Sequence, residues 1–125
     1  MWQTSSKEDY EDLTLYLKGH KVSGEGYIIP YSDTPLDDEE TGENVYLNMI
    51  KHAVDHIYIT TPYLILSDEM QRELILASKR GVDVRIITPG IPDKAVVFAV
   101  TRSYYSHLVR AGIHIYEYTP GFIHS

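Results

Sequence analysis

From residue 26 onward, apolar residues fall in short strand-length blocks, separated by longer stretches in which they recur every three or four positions. Gly26–Tyr31, Gly-Tyr-Ile-Ile-Pro-Tyr, reads as a first strand, and Ser32–Gly42 as a polar loop. Glu43–Val54 reads as a helix with Val45, Tyr46, Met49, Ile50 and Ala53 on one face. Asp55–Thr60 is a strand. Ser67 has the side chain of a helix N-cap, and Asp68 and Glu69 suit the positive end of the helix that follows. That helix runs to Arg80, where Gly81 can take the left-handed conformation that stops it. Asp83–Thr88 is the third strand. Asp93 is placed to cap the longest helix, with Val97, Val100, Tyr104, Leu108 and Ala111 in register. Gly112 ends it, and Ile113–Tyr118 is the fourth strand. Residues 1–24 are polar, with weak helical spacing at Tyr10, Leu13, Tyr16 and Leu17. The expected organisation is therefore a linker or helical lead-in over 1–24 and one α/β domain over 25–125.

The strands repeat a unit. Gly81-Val-Asp-Val-Arg-Ile-Ile-Thr-Pro-Gly90 aligns with Gly112-Ile-His-Ile-Tyr-Glu-Tyr-Thr-Pro-Gly121 at the glycines, the β-branched positions and Thr-Pro-Gly. Ile57-Tyr-Ile-Thr-Thr-Pro62 is a weaker third copy. A repeated helix-stop, strand, strand-stop unit implies alternating strand and helix, with a mainly parallel sheet and flanking helices. Proline cannot donate to a ladder, so pairing is expected to end at each Thr-Pro step. Ligands of open parallel sheets bind at the carboxyl edge. Thr61, Pro62, Tyr63, Thr88, Gly90, Thr119 and Gly121 are thus expected to line one rim, with His124 just beyond it.

Composition narrows the classes. Hydrophobic content of 43% and charged content of 23% are globular values. No apolar run approaches the ~18 residues of a membrane span, and no signal peptide is visible, so the chain itself is expected to be soluble. There are no cysteines, which excludes disulfides and thiol chemistry. The net charge is −7, with acid concentrated at Glu8-Asp9, Glu11-Asp12 and Asp37–Glu40. That is the reverse of a nucleic-acid footprint, and it offers no general attraction to anionic lipid. The acidic runs read as solvated surface.

Few residues carry candidate chemistry. His124 is the foremost, because imidazole is a nucleophile when neutral and an acid when protonated near neutral pH. His52 and His56 have a helical metal-ligand spacing, but the helix should end between them, and no metal set is expected. Thr88–Lys94 is a glycine-containing loop entering a helix and fits no nucleotide fingerprint. Tyr104 is expected to pack and Tyr105 to face solvent.

Lys79–Gly90, Ile91-Pro-Asp-Lys94, Arg102-Ser-Tyr-Tyr105 and Tyr116–His124 together resemble the second catalytic domain of bacterial cardiolipin synthases, in the phospholipase D superfamily. The resemblance covers Gly26–Ser125. The family's motif is His-x-Lys-x-x-x-x-Asp; His124 matches its histidine, and the Lys and Asp would fall two and seven residues later. The resemblance implies a truncated phospholipase D-like domain, inactive alone. It implies a parent that moves a phosphatidyl group between two phosphatidylglycerol molecules to give cardiolipin and glycerol. In the family two such motifs face each other: one histidine forms a phosphohistidine, the other moves protons, and two lysines stabilise phosphoryl charge. It implies no metal and no cofactor. It places the parent on the cytoplasmic membrane of a bacterium, with phospholipid and not nucleic acid as partner. The cut domain is expected to form a two-fold homodimer. Other phospholipase D-type enzymes and a non-enzymatic α/β binding module are the alternative readings. A reading frame continuing with the Lys and Asp separates the enzyme from the module.

Overall fold

The computed structural model describes residues 24–33, 36, 39–91, 93–121 and 123. The linker or helical lead-in expected over 1–24 therefore lies almost wholly outside the described residues. The chain divides into two compact units, Met1–Gly42 and Glu43–Ser125. In the first, residues 24–33 form no strand, so the strand expected at Gly26–Tyr31 is absent, with Tyr27 99% and Ile28 94% exposed. A strand exists only through its ladder, and apolar composition alone does not supply one.

The second unit alternates as expected. Helix α1 spans Thr41–His52, strand β1 His56–Thr60, α2 Asp68–Lys79, β2 Asp83–Pro89, α3 Ala95–Arg110 and β3 His114–Tyr118. The strands form a parallel sheet in the order β1-β2-β3. His56 to Thr60 pair with Asp83 to Ile87, and Arg85 to Pro89 pair with His114 to Tyr118. Ile57, Ile59, Val84, Ile86, Thr88, Ile115 and Glu117 share one face, as the period of two requires. The core sits there: Ile86, Val84 and Ile113 pack with Ile50 of α1, Leu74 and Ala77 of α2, and Leu108 of α3. His56, Tyr58, Arg85, His114, Tyr116 and Tyr118 point to the opposite, exposed face.

Local signals explain most boundaries. Ser67 caps α2, its Oγ accepting from the Met70 N–H at 3.1 Å. Gly81 and Gly112 both take φ +93°, so each following chain leaves its helix by the same left-handed turn. Ser78 Oγ donates to the Ala111 carbonyl at 3.0 Å, tying the ends of α2 and α3 together. Two expectations fail. In α1 the buried pair is Leu47 and Ile50, while Tyr46 and Met49 are exposed, so the core stripe is turned from the expected face. Asp93 does not cap α3: Lys94 is the N-cap and supplies no side-chain bond, because the Asp93 carboxylate instead accepts the Tyr63 hydroxyl.

Thr101 is a polar residue in the buried stripe of α3, and its Oγ1 accepts the Leu64 N–H at 3.1 Å. Thr101→Val keeps the shape and removes the acceptor. Leaving a buried donor unpaired is expected to cost ~1–3 kcal/mol, read by urea denaturation; Thr101→Ser, which keeps the acceptor, should lose less.

Candidate functional site

The three Thr-Pro steps lie at the carboxyl ends of parallel strands, so Thr61, Thr88 and Thr119 are on one edge of the sheet. Each threonine is used differently. Thr61 Oγ1 donates to the Tyr63 carbonyl at 3.0 Å and accepts the Tyr63 N–H at 3.3 Å, which turns Pro62 and Tyr63 away from the ladder. Thr88 is buried, and its Oγ1 shares a hydrogen bond of 2.6 Å with the Tyr105 hydroxyl. Thr119 and Pro120 are exposed.

Pairing does not stop at Pro89. The strand continues through it, and the Gly90 N–H donates to the Tyr118 carbonyl at 2.8 Å. The reason is the alternation of the ladder. Ile87 O accepts from the Thr61 N–H, so residue 87 faces β1 and residue 89 does too. By then β1 has turned away, and the N–H that proline lacks would have had no partner there. Gly90 is held close: a Cβ on it would lie 3.0 Å from Tyr118 O and 3.1 Å from Thr119 Cγ2. Gly121 has open space around it.

Side chains from α3 brace this edge. Arg102 grips Glu117 of β3 with two hydrogen bonds, Nε–Oε1 at 2.9 Å and Nη2–Oε2 at 3.1 Å. Its guanidinium also stacks 4.9 Å from the Phe98 ring centre. Tyr105, expected to face solvent, is instead half-buried against Thr88. Burial is the main cause that lifts its hydroxyl above the ordinary phenol value of 10.0, and the Glu117 charge adds to it. The Tyr63 hydroxyl is also raised, first by its bond to the Asp93 carboxylate and then by burial. Tyr63–Asp93 joins the loop after β1 to the loop after β2 across the rim.

Sequence reasoning missed Thr101, Tyr105, Glu117 and the Tyr63–Asp93 bond. Two of these had a signal. Thr101 is polar on an apolar helical stripe, and Glu117 falls on the inward phase of β3; an inward carboxylate needs a cation, and Arg102 is it. A second polar cluster lies on the open face. The Arg85 guanidinium holds Asp83 below its usual 3.8, aided by the Tyr58 hydroxyl at 3.0 Å. It is exposed and away from the rim.

His124 lies outside the described residues, as do Phe122 and Ser125. Gly121 and Ile123, which precede it in the chain, are described. His52 bonds the Asn48 carbonyl at 2.8 Å and His56 bonds Asp55 at 3.0 Å. Among the described residues no cluster of three or more His, Cys, Asp or Glu is arranged for a metal ion.

Residues 46–125 match the family described as cardiolipin synthase, PLD-like domain. An uncharacterised protein of Streptococcus mutans is 52% identical over 126 residues, covering 100% of this chain and 27% of the relative. Cardiolipin synthase 2 of Bacillus anthracis is 41% identical over 88% of this chain and 22% of its own length. Cardiolipin synthase of Alkalihalophilus pseudofirmus is 38% identical over 83% of this chain and 21% of its own length. The chain thus spans about a quarter of the length of these relatives. No solved structure matches it. The alternating parallel α/β unit and the match across residues 46–125 agree: the chain belongs to the cardiolipin synthase family of phospholipase D-like domains.

Proposed function

We propose that this chain is part of a cardiolipin synthase whose whole protein transfers a phosphatidyl group between two phosphatidylglycerol molecules. The observation that carries the reading is the family match over residues 46–125, which spans the whole carboxyl-edge rim. His124 follows that rim in sequence and takes one of two roles. As nucleophile, its neutral ring nitrogen attacks phosphorus and the P–O bond to the departing glycerol breaks. A partner histidine gives that oxygen its proton. The hydroxyl oxygen of a second phosphatidylglycerol then attacks the phosphorus of the phosphohistidine and gives its proton to the partner, and the P–N bond breaks, releasing cardiolipin and the neutral His124 ring. In the other role His124 is that proton carrier. Thr61, Pro62, Tyr63, Thr88, Gly90, Thr119 and Gly121 would form the surface beneath the headgroup, with buried Thr88 holding the edge and the exposed residues meeting substrate.

These 125 residues hold only the histidine of the His-x-Lys-x-x-x-x-Asp motif, so the chain alone is inactive on this reading. Even one missing charge contact typically costs ~10²–10³-fold in rate. The test is a thin-layer assay on phosphatidylglycerol. The whole protein should yield cardiolipin and glycerol; its His124→Ala variant and the isolated chain should yield none. Cardiolipin from the His124→Ala protein would remove His124 from the chemistry. Phosphatidic acid without cardiolipin would assign the whole protein to another phosphodiester-cleaving reaction.

Phospholipid, not nucleic acid, is the partner on this reading, and the whole protein works at the cytoplasmic membrane of a bacterium. Among the described residues no helix is long and apolar enough to cross a membrane. The isolated chain is expected to associate as a two-fold dimer, since β1 and β3 each leave one strand edge unpaired within the described sheet. Sedimentation checks this: a single species at 14.3 kDa would rule it out.

A further inference from the structure

The first half of α3 breaks the pattern of the other helices. Residues 95–100 run Ala-Val-Val-Phe-Ala-Val, so these turns are apolar on every side and not along one stripe. A helix apolar all round belongs in a core or in lipid. Yet Val96 is 78% and Val100 40% exposed, one turn apart on the same side. The start of α3 lies at the rim, because it follows the carboxyl end of β2. Ile91 in the connecting loop is 52% exposed, and Ile65 in the loop leaving β1 is 61% exposed. The β1 loop is fastened to this part of α3: the Leu64 N–H bonds Thr101, next to Val100, and the Tyr63 hydroxyl bonds Asp93, next to the N-cap. Single exposed aliphatic residues are ordinary. These four lie on adjoining segments that border one rim.

The charge pattern changes at the same place. The chain carries −7, but from Lys94 to Tyr116 there is no Asp or Glu. Helix α2 opens with Asp68 and Glu69, whereas α3 has no acid in its first turn and no side-chain cap. At its positive end stand the exposed Lys94 and, one residue before it, the Asp93 carboxylate, which accepts the Tyr63 hydroxyl. A bilayer of anionic phospholipid matches this surface, phosphate against Lys94 and hydrocarbon against the valines and isoleucines.

We propose that the first two turns of α3, with Ile65 and Ile91, form a lip that inserts into the interfacial layer of an anionic phospholipid bilayer. This rests on the reading that the whole protein acts on phospholipid: a headgroup still anchored by its acyl chains can react at the rim only if the rim faces the bilayer.

The test is flotation of the 125-residue chain with vesicles of phosphatidylcholine containing phosphatidylglycerol. The chain should float with them. Val96→Asp/Val100→Asp should reduce the bound fraction by about 10-fold or more, since a carboxylate is costly in the bilayer. Val109→Asp, at the far end of the same helix, should leave it unchanged. The chain has no cysteine, so Val96→Cys can carry a polarity-sensitive fluorophore. The label at 96 should brighten on vesicles and one at Val109→Cys should not. Three results overturn the lip: no flotation of the wild-type chain, equal flotation of Val96→Asp/Val100→Asp, or a label at 96 that brightens with protein concentration alone, which would assign this face to a second copy. None of these depends on turnover. A whole protein that makes no cardiolipin, beside a chain that floats through Val96, would overturn the reaction and leave the lip standing.

Discussion

Ile86→Ala should cost this protein about 3 kcal/mol of stability, within the ~2–5 kcal/mol range for truncating a buried isoleucine. Ile86 is on the central strand, fully buried, paired to Ile59 on one side and Ile115 on the other. The side chain faces the helices, so its loss opens a void where sheet and helices meet. No neighbour can close the void cheaply, because the flanking positions are fixed by two ladders. Domains of this size hold only about 5–15 kcal/mol in total. The melting temperature should fall by about 12–24 °C, at roughly 4–8 °C for each kcal/mol. Calorimetry checks it, with Ile115→Ala as the comparison. Ile115 is only partly buried on an edge strand, and should cost clearly less. Equal losses would mean that the core is not centred on β2.

Gly90→Val is expected to damage the rim selectively. Its Cβ would meet two backbone atoms, Tyr118 O at 3.0 Å and Thr119 Cα at 3.3 Å, as well as Thr119 Cγ2 at 3.1 Å. Backbone cannot swing aside as a side-chain tip can, so β3 must be pushed from β2 and the 2.8 Å bond from Gly90 to Tyr118 lengthened. Overpacking of this kind typically costs ~1–3 kcal/mol. The amide resonances of Tyr118, Thr119 and Gly121 should shift, while those of α2 should not. Gly121→Ala, with nothing near its Cβ, should leave stability unchanged.

Elements whose signals are local were legible in the sequence. Ser67, Gly81 and Gly112 act through backbone groups within a few residues of themselves, and all three do in the structure what their residue types suggest. Strands β1 to β3 were legible through the Thr-Pro repeat. Gly26–Tyr31 has strand composition, but a strand needs a partner across space, which no local pattern states. Asp93 illustrates the same limit for side chains. It is a fit N-cap by type, yet the hydroxyl of Tyr63, thirty residues away, takes its carboxylate. The rim as a place followed from the repeat. The braces that shape it did not, because Arg102–Glu117 and Thr88–Tyr105 each join two elements and depend on how α3 crosses the sheet.

The order of the sheet is the order of the chain, β1 then β2 then β3, each separated from the next by one helix. Synthesis runs in that direction too. As each strand leaves the ribosome, the edge it must join has already been made, and the only intervening segment is the helix that will cover the join. Within the described sheet, no strand has to wait for a later one to be inserted between it and its neighbour. Assembly of this kind, one crossover at a time, keeps loop closure short. It also suits a chain that folds from its amino terminus during translation, with few unpaired edges exposed at once.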